Sequence, residues 1–251
     1  MANLAEIVAF LDRELKVSSI PDYPGAMNGL QLANEGQVGR IVAAVDASLP
    51  VIEAAAEGGP GLLIVHHGMF WQGSQPVTGA FYRKLKIAME AGLAVYSSHL
   101  PLDVHPQWGN NILLARAIGL INPEPFFEQK GLYLGLRGKA DESRTDFAER
   151  VGRILGGKVH VCPGGPETVS NVGLITGGAG SEVAKVAAAG VDTFLTGEGP
   201  HWSYSLAEEL GINVLYGGHY ATEIFGVQQV ARVLGSEFQV PWNFIDRPTG
   251  L

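Results

Sequence analysis

Three histidine-bearing stretches of this chain share one context, in that each closes an apolar run. "GLLIVHHG" sets His66 and His67 side by side ahead of Gly68, "LAVYSSHLPLD" brings His99 and Asp103, and "INVLYGGHYATE" brings His219 and Glu223. Imidazole and carboxylate, once deprotonated, are ligands for divalent transition metals. The set exceeds what a single closed four-ligand site needs. Such a surplus suits a dinuclear centre, in which metals about 3.5–4 Å apart activate a bridging water. The only cysteine is Cys162, so a multi-thiolate site is excluded. A mixed nitrogen and oxygen set points to two divalent ions drawn from Zn, Mn, Fe, Co or Ni, without ranking them.

The elements that must position these groups are legible from periodicity. Leu4, Ile7, Val8, Leu11 and Leu15 share one helical face, with Asn3 as its cap and Glu6 placed for a reciprocal bond. Apolar runs at 39–48, 61–67 and 93–99 read as strands separated by helical segments, which implies βαβ units and a mostly parallel sheet. The prolines of "INPEPFF" (121–127) mark a break, after which strands and helices alternate again to the end of the chain. The reading is an α/β protein of two lobes.

Ligands of open α/β sheets gather beyond the carboxyl ends of the strands, so three strand exits of one sheet are expected to deliver the histidines to one crevice. Adjacent strand residues face opposite ways. The strand is therefore expected to stop at His66 and His67, freeing each to aim separately. Pro101 predicts a loop rather than a helix for His99 and Asp103. A helix starting near Thr222 would put Glu223 in its first turn, where the dipole favours an ionised carboxylate.

Composition narrows the function classes. The chain is 46% hydrophobic and 17% charged, with a net charge of −8 and no run of basic residues, which disfavours nucleic-acid binding. The opening "MANLAEIVAFLDRELK" has no basic flank and carries acids early, unlike a signal peptide. No apolar run approaches the roughly 18 residues of a membrane span. A cytoplasmic location is expected.

Together "HHGMFW", "HLPLDVHPQWGNN", "TGE" and "GGHYATE", with "NGLQ" at 28–31, resemble the family of type 2 GTP cyclohydrolase I homologues, also described as dinuclear-metal-centre hexameric proteins. The likeness runs over essentially the whole chain. It implies two interlinked α/β lobes, a metal-binding one formed by 1–125 together with about 195–251 and a second of about 126–194, assembled into a toroidal homohexamer. Carried over by motif, the ligands are His66, His67, Asp103, His219 and Glu223, with His99 a further ligand or a group that supports one.

Other stretches offer weaker chemistry. "TGEGPHW" places Glu198 and His201 at another strand exit, where Glu198 could transfer a proton to a bound substrate. The turn "GGAG", with Gly177 and Gly178, could seat a phosphate ahead of a helix, although it lacks the lysine of a P-loop. Asn28 is a candidate substrate contact. The leading expectation is a metal-dependent hydrolase acting on a nucleotide-like substrate, GTP ring opening with loss of formate if the family name holds. The alternative is a metal-binding, ring-forming scaffold or regulator.

Overall fold

A computed structural model describes all 251 residues. In chain order the elements are β1 (Ala2–Asn3), α1 (Leu4–Glu14), β2 (Gly29–Leu32), β3 (Gln37–Val38), β4 (Ile41–Asp46), α2 (Leu49–Ala56), β5 (Gly61–His67), α3 (Gly79–Glu90), β6 (Leu93–Ser97) and α4 (Leu100–Asp103). There follow α5 (Asn110–Ala117), β7 (Ile121–Gln129), β8 (Leu132–Ser143), α6 (Arg144–Leu155), β9 (His160–Pro163), β10 (Thr168–Leu174), α7 (Val183–Ala188), β11 (Thr193–Thr196), α8 (Trp202–Leu210), β12 (Asn213–Tyr216), α9 (His219–Glu237) and β13 (Trp242–Phe244). The chain forms two units, Met1–Leu102 with Gly226–Arg247 and Asp103–Phe225 with Pro248–Leu251.

The first unit is built on a five-stranded sheet in the order β13-β4-β5-β6-β2. β13, β4, β5 and β6 run parallel, and β2 closes the edge antiparallel to β6. Its strands are continuous apolar runs because both faces are covered: Val42, Leu63, Val65 and Val95 pack with Val51, Ile52 and Ala55 of α2 and Ala88 of α3. α1 buries Leu4, Ile7 and Leu11, and the Asn3 side chain accepts from the Ala5 and Glu6 amides as its cap.

The second unit carries a six-stranded sheet, β7-β8-β10-β11-β12-β9. Only β10, β11 and β12 are mutually parallel; β7, β8 and β9 join antiparallel. Phe147, Val151, Val172, Leu195 and Leu215 form one cluster, and Phe194, Val214, Val183, Val186 and Ala207 form another. The mostly parallel expectation therefore describes the first sheet, and the second is mixed.

Four local expectations are corrected. The stretch 121–127 is not a break but the start of β7, an edge strand, where a proline costs no ladder bond. β11 pairs with β10 and β12 with β11, and residues 103–125 and 195–225 fall in the second unit rather than with residues 1–102. The exits expected from one sheet thus come from two. Pro101 sits inside α4, in the first turn, where its missing N–H has no partner to lose. No helix is long and apolar enough to cross a membrane.

Candidate metal centre

In the first unit the carboxyl ends of β4, β5 and β6 lie side by side and carry Asp46, the His66–His67 pair, and Ser97 leading into His99. The alternation of strand side chains predicts that β5 stops at the pair, but β5 runs through it. Its last rung with β6 is Val65 opposite Ser97, whereas its pairing with β4 continues to Asp46 opposite His67. Both histidines thus lie past the β6 ladder, and their rings converge, with centroids 4.7 Å apart. The His99 ring is 4.9 Å from that of His66 and 5.7 Å from that of His67. One ring nitrogen from each of the three falls within 4.8 Å of the others, a spacing that allows them to hold a metal ion.

The other ring nitrogen of each histidine faces an oxygen that can only accept. His66 Nδ1 is 2.9 Å from the Ser98 carbonyl, His67 Nδ1 is 2.9 Å from Asp46 Oδ1, and His99 Nδ1 is 2.9 Å from Asp22 Oδ1. Nδ1 is therefore the nitrogen that keeps its proton when the ring is neutral, which leaves the lone pair to Nε2. This is how a protein fixes the tautomer and raises the basicity of a metal-ligating imidazole.

Asp22 is itself held firmly. It accepts from the Tyr23 and Leu100 amides and from Asn28 Nδ2, while Asn28 Oδ1 accepts the His99 amide. Burial raises the Asp22 pKa, but the His99 bond and charge, with Asn28 and the Tyr23 amide, outweigh it and leave the carboxyl below its ordinary value. Asn28, a substrate-contact candidate by sequence, is spent on positioning. The "NGLQ" stretch also braces the histidine pair: Gln31 Oε1 accepts the Met69 amide at 2.7 Å, so close to Gly68 that a Cβ there would meet the Gln31 amide at 2.2 Å. Trp71 sets its ring edge-on to His99, centroids 4.8 Å apart.

In the second unit the carboxyl ends of β10, β11 and β12 carry Thr176–Gly177, Gly197–Glu198 and Gly217–His219. α9 starts at His219, earlier than expected, so Glu223 lies in its second turn. What matters is then the spacing: His219 and Glu223 are i and i+4 on one helical face, and Nε2 and Oε2 are 3.1 Å apart. His219 Nδ1 is 2.8 Å from Glu198 Oε1. Burial lowers the His219 pKa, but the two carboxylates more than reverse that and push it up to about 9. Between His219 and Glu223 there is a place for one cation, a proton or a metal.

Asp103, 7% exposed, accepts from Asn110 Nδ2 at 2.8 Å and from Thr176 Oγ1 at 3.3 Å. One of its oxygens is within 4.8 Å of one from Glu223, which is 2% exposed. Two buried carboxylates this close need a positive partner, since burying charge without one is costly. The donor chemistry thus fits divalent metals. Gly177, at φ +70°, makes room: a Cβ there would stand 2.2 Å from Glu223 Oε1. Gly177 and Gly178 border the carboxylate and the imidazole, and the helix after them, α7, has only six residues.

Sequence reasoning gave no role to Asp22, Asp46, Asn110 or Thr176. Asp46 obeys the strand-exit rule that picked out the others. Asp22, between two prolines in "SSIPDYPG", carried no such signal. His201 stands exposed at the start of α8, and His105 stacks on Trp108 at 4.6 Å.

A family model described as Duf34/NIF3 (NGG1p interacting factor 3) matches residues 2–249. A protein of Deinococcus radiodurans named "GTP cyclohydrolase 1 type 2 homolog" is 40% identical over 248 residues, 98% of this chain and 94% of that protein. One of the same name from Archaeoglobus fulgidus is 37% identical over 251 residues, 99% of this chain and 100% of that protein. Among solved structures, TTHA1606 from Thermus thermophilus aligns with a TM-score of 0.91 at 37% identity, covering 99% of this chain and 100% of that one.

Proposed function

Because the chain belongs to the Duf34/NIF3 (NGG1p interacting factor 3) family, we propose that it is a metal-dependent hydrolase acting on a nucleotide-like substrate. Two divalent ions per chain would be held by His66, His67, Asp103, His219 and Glu223, with His99 as an additional ligand. The observation that carries this reading is shared by four histidines: His66, His67, His99 and His219 each commit Nδ1 to an oxygen acceptor. That arrangement is costly to build for surface histidines and useful for ligands.

Bound metals of this kind acidify water and polarise an electrophilic centre. The rest belongs to the chain. Asp22 and Asp46 orient His99 and His67, and Asn110 and Thr176 orient Asp103. Glu198 orients His219, which we take as its role in place of the proton transfer expected from sequence; no step is assigned to His201. The names of the relatives support a GTP-type substrate, opened at its imidazole ring with release of formate, and the family resemblance supports a toroidal homohexamer.

The test is elemental analysis of protein purified without chelator or affinity metal, beside His67→Ala and Glu223→Ala, followed by formate release from GTP. About two metals per chain, lost in part in both variants together with turnover, is the expected result. Metal-replete protein inert toward GTP, other nucleotides and a panel of phosphoesters and amides would leave a metal-binding scaffold. Failure to take up Zn or Mn at all would overturn the ligand set.

A further inference from the structure

The second unit contains a cavity of about 820 Å³ whose wall includes none of the metal donors. It lies at the carboxyl ends of β11 and β12, whose exits supply Gly197–Pro200 and Tyr216–Gly218 to its wall. β9 runs antiparallel to β12, with His160 opposite Tyr216, the last residue of that strand. The turn that precedes β9 therefore delivers Lys158 and His160 to the same end of the sheet. Ligands of α/β sheets collect at this end, and the volume is within the range of small-molecule pockets.

The wall is aromatic on one side. His160 sits between two tyrosines, with ring centroids 5.7 Å from Tyr204 and 6.0 Å from Tyr216. The Tyr216 hydroxyl is tied to Ser203 Oγ at 2.6 Å, which fixes its ring. Aromatic faces fixed in this way stack planar rings with little regard to their substituents. The rim is charged: Lys158 is exposed and forms no ion pair. An ammonium on a flexible stem is a good point-charge partner for a phosphate.

We propose that this cavity binds a planar aromatic ring carrying an oxyanion, of the size of a mononucleotide, with the ring among His160, Tyr204 and Tyr216 and the oxyanion on Lys158. Glu198 belongs to the same wall while its Oε1 faces His219, so a ligand seated here touches the group that orients a proposed metal ligand. The choice of a guanine nucleotide as probe rests on the substrate reading above; the cavity does not.

Binding is measured by calorimetry on the full chain after chelator treatment, with GMP, guanosine and inorganic phosphate as separate probes, so that failure of turnover and failure of binding are read apart. The expected result is saturable 1:1 binding of GMP, tighter than either fragment. Lys158→Met weakens GMP about tenfold, the scale of one charge-assisted contact, and leaves guanosine unchanged. Tyr204→Ala weakens GMP and guanosine together. Lys158 is exposed, so its variant tests the site even if the tyrosine variant misfolds. No saturable binding of GMP, binding untouched by Lys158→Met, or phosphate alone binding as tightly as GMP would each overturn the proposal.

Discussion

Asp22 Oδ1 lies 2.9 Å from His99 Nδ1, and the same carboxylate gathers the Tyr23 and Leu100 amides and Asn28 Nδ2. Every one of those partners donates. Asp22→Asn would place an amide NH₂ where only an acceptor fits, leaving at least one donor facing another. The side chain is 6% exposed, so an unmet buried donor costs about 1–3 kcal/mol. The variant is expected to melt several degrees lower, since about 1 kcal/mol shifts the midpoint of a large domain by about 2–4 °C. Its metal affinity should fall roughly 10–100-fold, as is usual when the partner of a ligating histidine is changed. Calorimetry with Zn or Mn, compared with thermal unfolding, separates the two effects; unchanged metal affinity would remove Asp22 from the centre.

Gly177 and Gly178 are neighbours with opposite expectations. A Cβ on Gly177 would stand 2.2 Å from Glu223 Oε1 at a φ of +70°, while one on Gly178 would meet nothing closer than 3.5 Å. Gly177→Ala is therefore expected to displace Glu223 and lower metal affinity by more than about tenfold, on top of the strain of a left-handed alanine. Gly178→Ala makes only ordinary contacts and should bind metal like the parent. Equal loss in both would show that the glycines serve something other than clearance for the carboxylate.

The alkaline stability of the fold should depend on Tyr96. Its ring is fully buried in the first unit, and its hydroxyl donates to Asp12 Oδ1 at 2.8 Å. Burial, then the Asp12 bond and charge, raise its pKa above the ordinary 10.0. An acid raised on folding keeps its proton in the native state while the unfolded chain releases it. The contribution is complete below pH 10 and is lost progressively as pH rises from there toward the folded value. Urea unfolding of the parent should thus weaken faster above pH 10 than that of Tyr96→Phe, which near neutrality is less stable by about 1 kcal/mol for the missing bond. Parallel pH profiles would contradict this.

Which parts of this protein were legible in its sequence follows from what each signal depends on. The Leu4, Ile7, Leu11 stripe and its Asn3 cap are local, and they reappear unchanged in α1. The apolar runs ending in His66, His99 and His219 mark strand exits whatever the sheet, and all three are strand exits here. Pairing is not local: nothing in "INVLYGG" says that it joins β11 and β9 rather than β5, so its sheet could not be read. Pro101 and "INPEPFF" misled because a proline forbids a helix interior or a central strand, yet both fall where that rule does not apply, in a first turn and on a sheet edge. The motif histidines announced themselves through their neighbours, whereas Asp22 contributes through a fold-dependent contact with a residue 77 positions away.

Asn111 offers a test of how Asp103 is held. Its Nδ2 donates to the Asp103 carbonyl at 3.1 Å and to the Leu134 carbonyl at 3.0 Å, and its Oδ1 accepts the Thr176 amide at 3.0 Å. At 3% exposure no water replaces these bonds cheaply. Asn111→Leu, which keeps the number of side-chain heavy atoms, would leave the Thr176 amide and two carbonyls without this partner, each loss costing about 1–3 kcal/mol if the group stays buried. Thr176 Oγ1 also donates to Asp103 Oδ1, so loosening the Thr176 backbone loosens the carboxylate as well. The expected outcome is a large drop in the unfolding midpoint together with weaker metal binding, both partly restored by Asn111→Gln only if the longer amide reaches the same three atoms. A variant that loses stability but keeps full metal affinity would show that Asn110 and Thr176 hold Asp103 without help from Asn111.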